Sequence, residues 1–225
     1  MTSLKFRHNP VKRGWERLRP LCQLWELDLR DCNLTELPEA LEGIQSMNSL
    51  KLNRNPIKSG WERLRELRQL RELALKGCGL IELPEALAGV ESVTSLKLCV
   101  NHIEGGWERL HPLRQLRELN LSCCNGKEVP VALAGMESVT HLNLGWNRIE
   151  SGWEHLRPLT CLQELKAAVD KYDVPEALKA LTKLTILHHR GWDYYPYESE
   201  DGWDYYPYDS DDESRQNTEL SDYYL

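Results

Sequence analysis

A tryptophan returns every 46 residues: GWERL stands at 14–18, 60–64 and 106–110, and GWEHL at 152–156. So strict a period restricts the chain to architectures built by stacking one small unit on copies of itself. The period also halves. LRELALKGCGLIELPEALAGVES (70–92) and VTSLKLCVNHIEGGWERLHPLRQ (93–115) share the frame LxxLxLxx(N/C)x(L/I). That frame divides residues 1–161 into seven units of 23, followed by a 22-residue unit at 162–183 and a partial unit from Leu184.

In each unit the fourth and sixth positions are apolar, as in Leu27 and Leu29, Leu50 and Leu52, or Leu96 and Leu98. Period two over a short run predicts a strand with one buried face. A lone strand cannot bury that face, whereas neighbours stacked ~4.8 Å apart share one core and one parallel sheet. The ninth position reads Asn9, Cys32, Asn55, Cys78, Asn101, Cys124, Asn147 and then Asp170. There the chain must leave the strand inside the core, and an amide or thiol can bond the stranded backbone groups of the adjacent unit. We therefore expect a structural ladder. Metal binding or catalysis by Cys32, Cys78 and Cys124 is disfavoured, because they lie two units apart, about 9–10 Å, beyond disulfide reach. Trp15, Trp61, Trp107 and Trp153 stand where alternate units carry Pro38, Pro84 and Pro130, on the returning segment. They are expected to pack on the convex side, next to glycines that permit a close approach.

The frame resembles a leucine-rich repeat, and its LPEALxG half resembles the cytosolic repeats of the Ras-pathway scaffold and Scribble-like type. The resemblance covers about residues 1–190. It implies an α/β solenoid: a curved parallel sheet on the concave face, short helices or 3₁₀ turns on the convex face, and a protein partner held on the concave side. It does not name that partner.

Function is then expected at the outward positions that differ between units. The early units offer a basic stripe of Lys5, Arg7, His8, Arg30, Lys51, Arg54 and Lys76, with Lys97 further along, interrupted by Glu26, Asp28, Asp31 and Glu72. The later units are apolar at the seventh and eighth positions: Cys99, Val100, Cys123, Trp146, Ala168 and Val169. Trp146 stands off the 46-residue clock, and tryptophan dominates interface hot spots. His141 and Asn143 flank it with hydrogen-bonding groups. Two readings stand here: a partner surface, or apolar residues that cover one another at the end of the array. Cys99 and Cys123 would lie close enough for a labile disulfide, without an activating neighbour.

Residues 191–225 break the pattern with an 11-residue duplication, GWDYYPYESED and GWDYYPYDSDD. They hold eleven acids and one base, so the net charge of −7 becomes +3 for residues 1–190. Acidic density with only two aliphatics, Leu220 and Leu225, predicts a disordered tail. Tyr194, Tyr195, Tyr197, Tyr205, Tyr206 and Tyr208 sit among acids and are candidates for phosphorylation. The tail could alternatively occupy the basic stripe, and the terminal YYL suits β-addition domains weakly. The layout of solenoid plus acidic tail is similar to the acidic nuclear phosphoproteins, and the Asn/Cys alternation to ribonuclease inhibitor. Both imply sequestration of a basic partner.

No phosphate loop, HExxH, GxSxG or zinc spacing occurs, so neither an enzyme nor a cofactor is expected. A small-molecule substrate and nucleic acid are not expected partners. No apolar run reaches the ~18 residues of a membrane helix, and the start lacks a secretory h-region. Seven cysteines without CxxC spacing point to free thiols and a cytoplasmic or nuclear setting. Sequons at Asn33 and Asn120 would then go unused. Leu4 and Phe6 begin a strand with no cap before it, which opens self-association through that end.

Overall fold

The computed structural model describes residues 2–10, 13–169, 174–179, 181 and 184–188. Asp170 and all six candidate tyrosines lie outside the described residues. Nine parallel strands form one sheet in sequence order: β1 (Ser3–Lys5), β2 (Glu26–Asp28), β3 (Ser49–Lys51), β4 (Glu72–Ala74), β5 (Ser95–Lys97), β6 (Glu118–Asn120), β7 (His141–Asn143), β8 (Glu164–Ala167) and β9 (Thr185–His188). Pairing steps by 23 residues, so Leu27 faces Leu50 and Leu50 faces Leu73. The returning segments are 3₁₀ turns, including Trp15–Leu18, Glu39–Gly43 and Trp61–Glu66; a single α-helical turn, Glu176–Lys179, stands in the eighth unit.

The core runs between sheet and turns, and leucine supplies most of it. Leu27, Leu50 and Leu73 are fully buried, as are Leu41, Leu64 and Leu87 from the returning side. Complete burial of one such side chain contributes about 1.5–3 kcal/mol, so the repeated leucines carry the stability. Trp15, Trp61, Trp107 and Trp153 are half-buried and pack against this core. Trp15 meets Phe6 edge to face at 5.9 Å.

The ninth position sets the polar order of the interior. Asn55 Oδ1 accepts the Cys32 and Leu34 N–H groups at 3.0 and 2.9 Å, while its Nδ2 donates to Leu29 O and Leu52 O at 2.7 and 2.8 Å. Asn147 repeats this on Cys124, Gly126, Leu121 and Leu144. The alternate units use a thiol: Cys32 donates to Phe6 O, Cys78 to Leu52 O and Cys124 to Leu98 O, at 3.3–3.4 Å. Burial pushes the Cys78 thiol up to about 11 and the Cys124 thiol up to about 12. Both stay neutral near pH 8 and are poor nucleophiles. Brief alkylation at pH 8 should therefore label the exposed Cys22 and Cys161 first and leave Cys32, Cys78 and Cys124 unmodified. Peptide mass spectrometry reads the sites, and labelling of Cys78 as fast as Cys22 would refute this.

Two differences from the sequence expectation matter. The strands β1–β7 are three residues long, and at the eighth position the chain is already in a left-handed turn. His8, Asp31, Arg54, Gly77, Val100, Cys123 and Trp146 all have φ between 55° and 63°. Strand alternation therefore does not assign their facing. For a β-branched residue this conformation is strained. Val100→Gly, which copies Gly77, should raise stability by about 0.5–1 kcal/mol in urea denaturation, after glycine's own entropic cost is subtracted. Unchanged or lower stability would show that Val100 is not strained.

The second difference is the register of the last strand. Thr185 pairs with Glu164, which starts the ninth unit at residue 183 and shortens the eighth to 21 residues. Leu184 and Ile186, two residues apart, both reach the core, and that period decides the alignment.

Candidate functional site

The outer face of the sheet is built from the third and fifth positions of each unit, since the fourth is committed to the core. The basic stripe on it is matched by acids. Arg30 grips Asp28 with two hydrogen bonds of 2.6 and 2.8 Å, and both residues are buried. Arg54 makes the equivalent pair with Asp31 of the preceding unit, where His8 Nδ1 also lies 3.5 Å from the carboxylate. Lys51 Nζ reaches Glu26 at 3.0 Å, and Lys97 Nζ reaches Glu72 at 3.2 Å. Burial alone would raise the Asp28, Asp31 and Glu72 carboxyls, but these partners more than offset it and hold all three below the usual range. Glu26 is lowered chiefly by the Lys51 hydrogen bond. Much of the stripe is thus tied into ion pairs, Arg30–Asp28 within one coil and the other three between neighbouring coils, and it presents far less positive field than its lysines and arginines alone would.

Further along, the face opens into a depression of 210 Å³. Lys97, His141 and Asn143 line it together with Glu118, Asn120, Glu164 and Lys166. Three of the sequence candidates therefore meet in one place. His141 lies exposed, its Nδ1 2.9 Å from Thr140 Oγ1. Asn143 Oδ1 accepts the Gly145 N–H at 2.9 Å, and Asn120 Oδ1 accepts the Ser122 N–H and hydroxyl at 3.0 and 2.8 Å.

The apolar candidates divide. Val100, Cys123 and Trp146 are half-buried at their left-handed turns. Val169 is only 7% exposed and belongs to the core, as Cys99 is buried at 8%; neither offers a partner much surface. The strand ends before these positions. No disulfide joins Cys99 and Cys123.

Sequence reasoning passed over Trp25, which is 52% exposed beside Thr2 and Asn48 in the second column. It stands off the 46-residue clock as Trp146 does, so the same criterion would have found it. Ile81 and Val131 are exposed too, Val131 in a column that is otherwise glutamate from Glu16 to Glu154. Among the described residues no group of three or more His, Cys, Asp or Glu could hold a metal ion. No described helix is long and apolar enough to cross a membrane.

Comparison with known proteins agrees with this architecture. The family described as Leucine Rich Repeat matches residues 23–44. No curated protein sequence matches the chain. A leucine-rich-repeat protein of Leptospira interrogans superposes with a TM-score of 0.73 at 20% identity, over 84% of this chain and 48% of that one. This chain thus spans about half the length of the Leptospira protein. Internalin C2 of Listeria monocytogenes gives 0.58 at 26% identity, covering 68% and 67% of the two chains. Another Listeria internalin gives 0.61 at 19%, covering 85% and 62%.

Proposed function

The chain is a leucine-rich-repeat protein, and from that premise we propose that it is an intracellular adaptor or scaffold that holds a protein partner on the outer face of its sheet. The observation that carries the reading is the depression at the fifth to eighth units, where Lys97, His141 and Asn143 converge. Trp146 stands at the turn that leaves the same coil as His141 and Asn143, giving the surface a large amphipathic residue of the kind that anchors interfaces. A repeat frame keeps the scaffold constant while these outward residues vary. Seven cysteines with no disulfide among them support a reducing, cytoplasmic setting.

Capture of partners by the immobilised full chain tests the proposal. Trp146→Ala should weaken capture at least about 30-fold, the equivalent of ~2 kcal/mol at a hot spot. Val131→Ser, on the returning side, should leave capture unchanged. The opposite pattern would move the interface off the sheet.

The alternative, sequestration of a basic protein by residues 191–225, is favoured by their composition of eleven acids and one base. Charge-led capture would fade between low and moderate salt, and capture through the depression and Trp146 would persist.

A further inference from the structure

Within the depression, Asn120 and Asn143 are cross-strand partners in register, one on β6 and one on β7. Each side-chain oxygen is committed to its own turn: Asn120 Oδ1 to the Ser122 N–H and Asn143 Oδ1 to the Gly145 N–H. Exchanging either amide's oxygen and nitrogen would set an NH₂ group against a backbone N–H, so the orientation is dictated. Both Nδ2 groups are left as donors, and among the described residues neither has an acceptor. Neighbouring strands lie about 4.8 Å apart, a spacing at which two such donors can serve one acceptor group between them. Lys97 and Lys166 continue the same row on either side, opposite Asn120 and Asn143 respectively. Their ion pairs, to Glu72 at 3.2 Å and Glu164 at 3.6 Å, leave them 44% and 49% exposed.

We propose that Asn120 and Asn143 recognise one carboxylate, an Asp or Glu side chain of the partner protein. The proposal rests on the protein-binding reading above and names the partner's anchoring group. A carboxylate has two coplanar oxygens, so each asparagine can serve one of them with a charge-assisted hydrogen bond. The flanking lysines make the position favourable for a negative charge. The adjoining third-position row decides how many charges fit. Glu118 and Glu164 stand there on either side of His141, with Glu118 already accepting the Ser95 hydroxyl at 3.0 Å. A run of acids would meet these carboxylates, whereas a single acid would not. The ligand is therefore an isolated Asp or Glu, and not an acidic stretch.

Unit two provides the variant for a test. Asp28 occupies the same fifth position, and its Oδ1 accepts the Arg30 N–H at 3.2 Å. An aspartate thus keeps the turn. Asn120→Asp removes the donor, adds a repelling charge and retains the local fold. The full ¹⁵N-labelled chain is titrated with N-acetylaspartate methylamide, and with N-acetylasparagine methylamide as an uncharged control of the same shape. The Asn120 and Asn143 side-chain amide signals should move together along one saturable curve with the aspartyl probe alone. In Asn120→Asp, the Asn143 amide should need at least tenfold more probe for half its shift. A linear drift, an equal response to the asparaginyl probe, or an unchanged curve in the variant overturns the proposal. The comparison of probes on the wild-type chain decides the matter even where the variant folds poorly. No partner enters the titration, so this proposal can fail while Trp146→Ala still abolishes capture, and the reverse outcome would count against the interface alone.

Discussion

Asn55→Ala should cost about 4 kcal/mol and shift the urea midpoint of the solenoid accordingly. The substitution leaves the Cys32 and Leu34 N–H groups and the Leu29 carbonyl without the partner that Asn55 supplies, in a site with no solvent exposure. Each orphaned buried group costs about 1–3 kcal/mol, and the small void that alanine leaves is lined by too much leucine to hydrate all of them. Because stability in a stacked array is a sum of unit and neighbour terms, the loss falls on the junction of the second and third units. Asn9→Ala is the internal control. Asn9 is exposed and, among the described residues, its side chain bonds only the Phe6 and Arg7 carbonyls of its own turn, at 3.0 and 2.9 Å, so its loss should cost under about 1 kcal/mol. Similar costs for Asn9→Ala and Asn55→Ala would refute the ladder as a source of stability.

Gly152→Ala should be nearly as damaging, at about 3 kcal/mol, for two separable reasons. Gly152 has a φ of 81°, a conformation that costs an alanine about 1–2 kcal/mol. A Cβ there would also stand 2.7 Å from Val129 O and 2.9 Å from Val129 N, both backbone atoms of the preceding unit that cannot swing aside. Gly14 shares the left-handed conformation, with a φ of 92°, but nothing lies within 4 Å of its Cβ position. Gly14→Ala thus isolates the conformational cost, and the difference between the two variants in urea denaturation measures the steric one. Equal destabilisation would mean that the coils separate freely enough to admit a methyl group.

The architecture was legible because its signal is redundant. Leu27, Leu50, Leu73 and Leu96 recur at one spacing, and the observed strand register steps by that same spacing. The ninth-position alternation was legible from chemistry, since only a residue that both donates and accepts, or a compact thiol, fits a turn inside a core. The eighth position was not. Asp31, Gly77 and His8 are residues at ease with a positive φ, but Val100 and Trp146 in the same column conceal the turn, and period two seemed to continue through it. The site shows the same division. Trp146 could be picked out because it breaks the clock. Asn120 could not, because its meaning depends on an oxygen tied to the backbone two residues ahead, and that geometry leaves no periodic trace in the letters.

The bonding between coils also alternates. Backbone bridges at Glu36–Ser59, Glu82–Gly105 and Glu128–Ser151 each join a cysteine-bearing unit to the tryptophan-bearing unit after it. At those same junctions Arg63 donates to Leu37 O, Arg109 to Leu83 O, and the His155 ring meets Val129 O at 2.8 Å. The quantum of growth for this molecule is therefore 46 residues. Excising 70–115 would join a tryptophan coil to a cysteine coil, as happens naturally at 69–70, with every clamp intact. Excising 70–92 alone would set two tryptophan coils face to face, and Arg109 would meet Ser59 and Gly60 in place of Glu82 and Leu83. A gene built by duplicating this pair can lengthen or shorten in steps of two coils, and a single-coil slip is self-penalising.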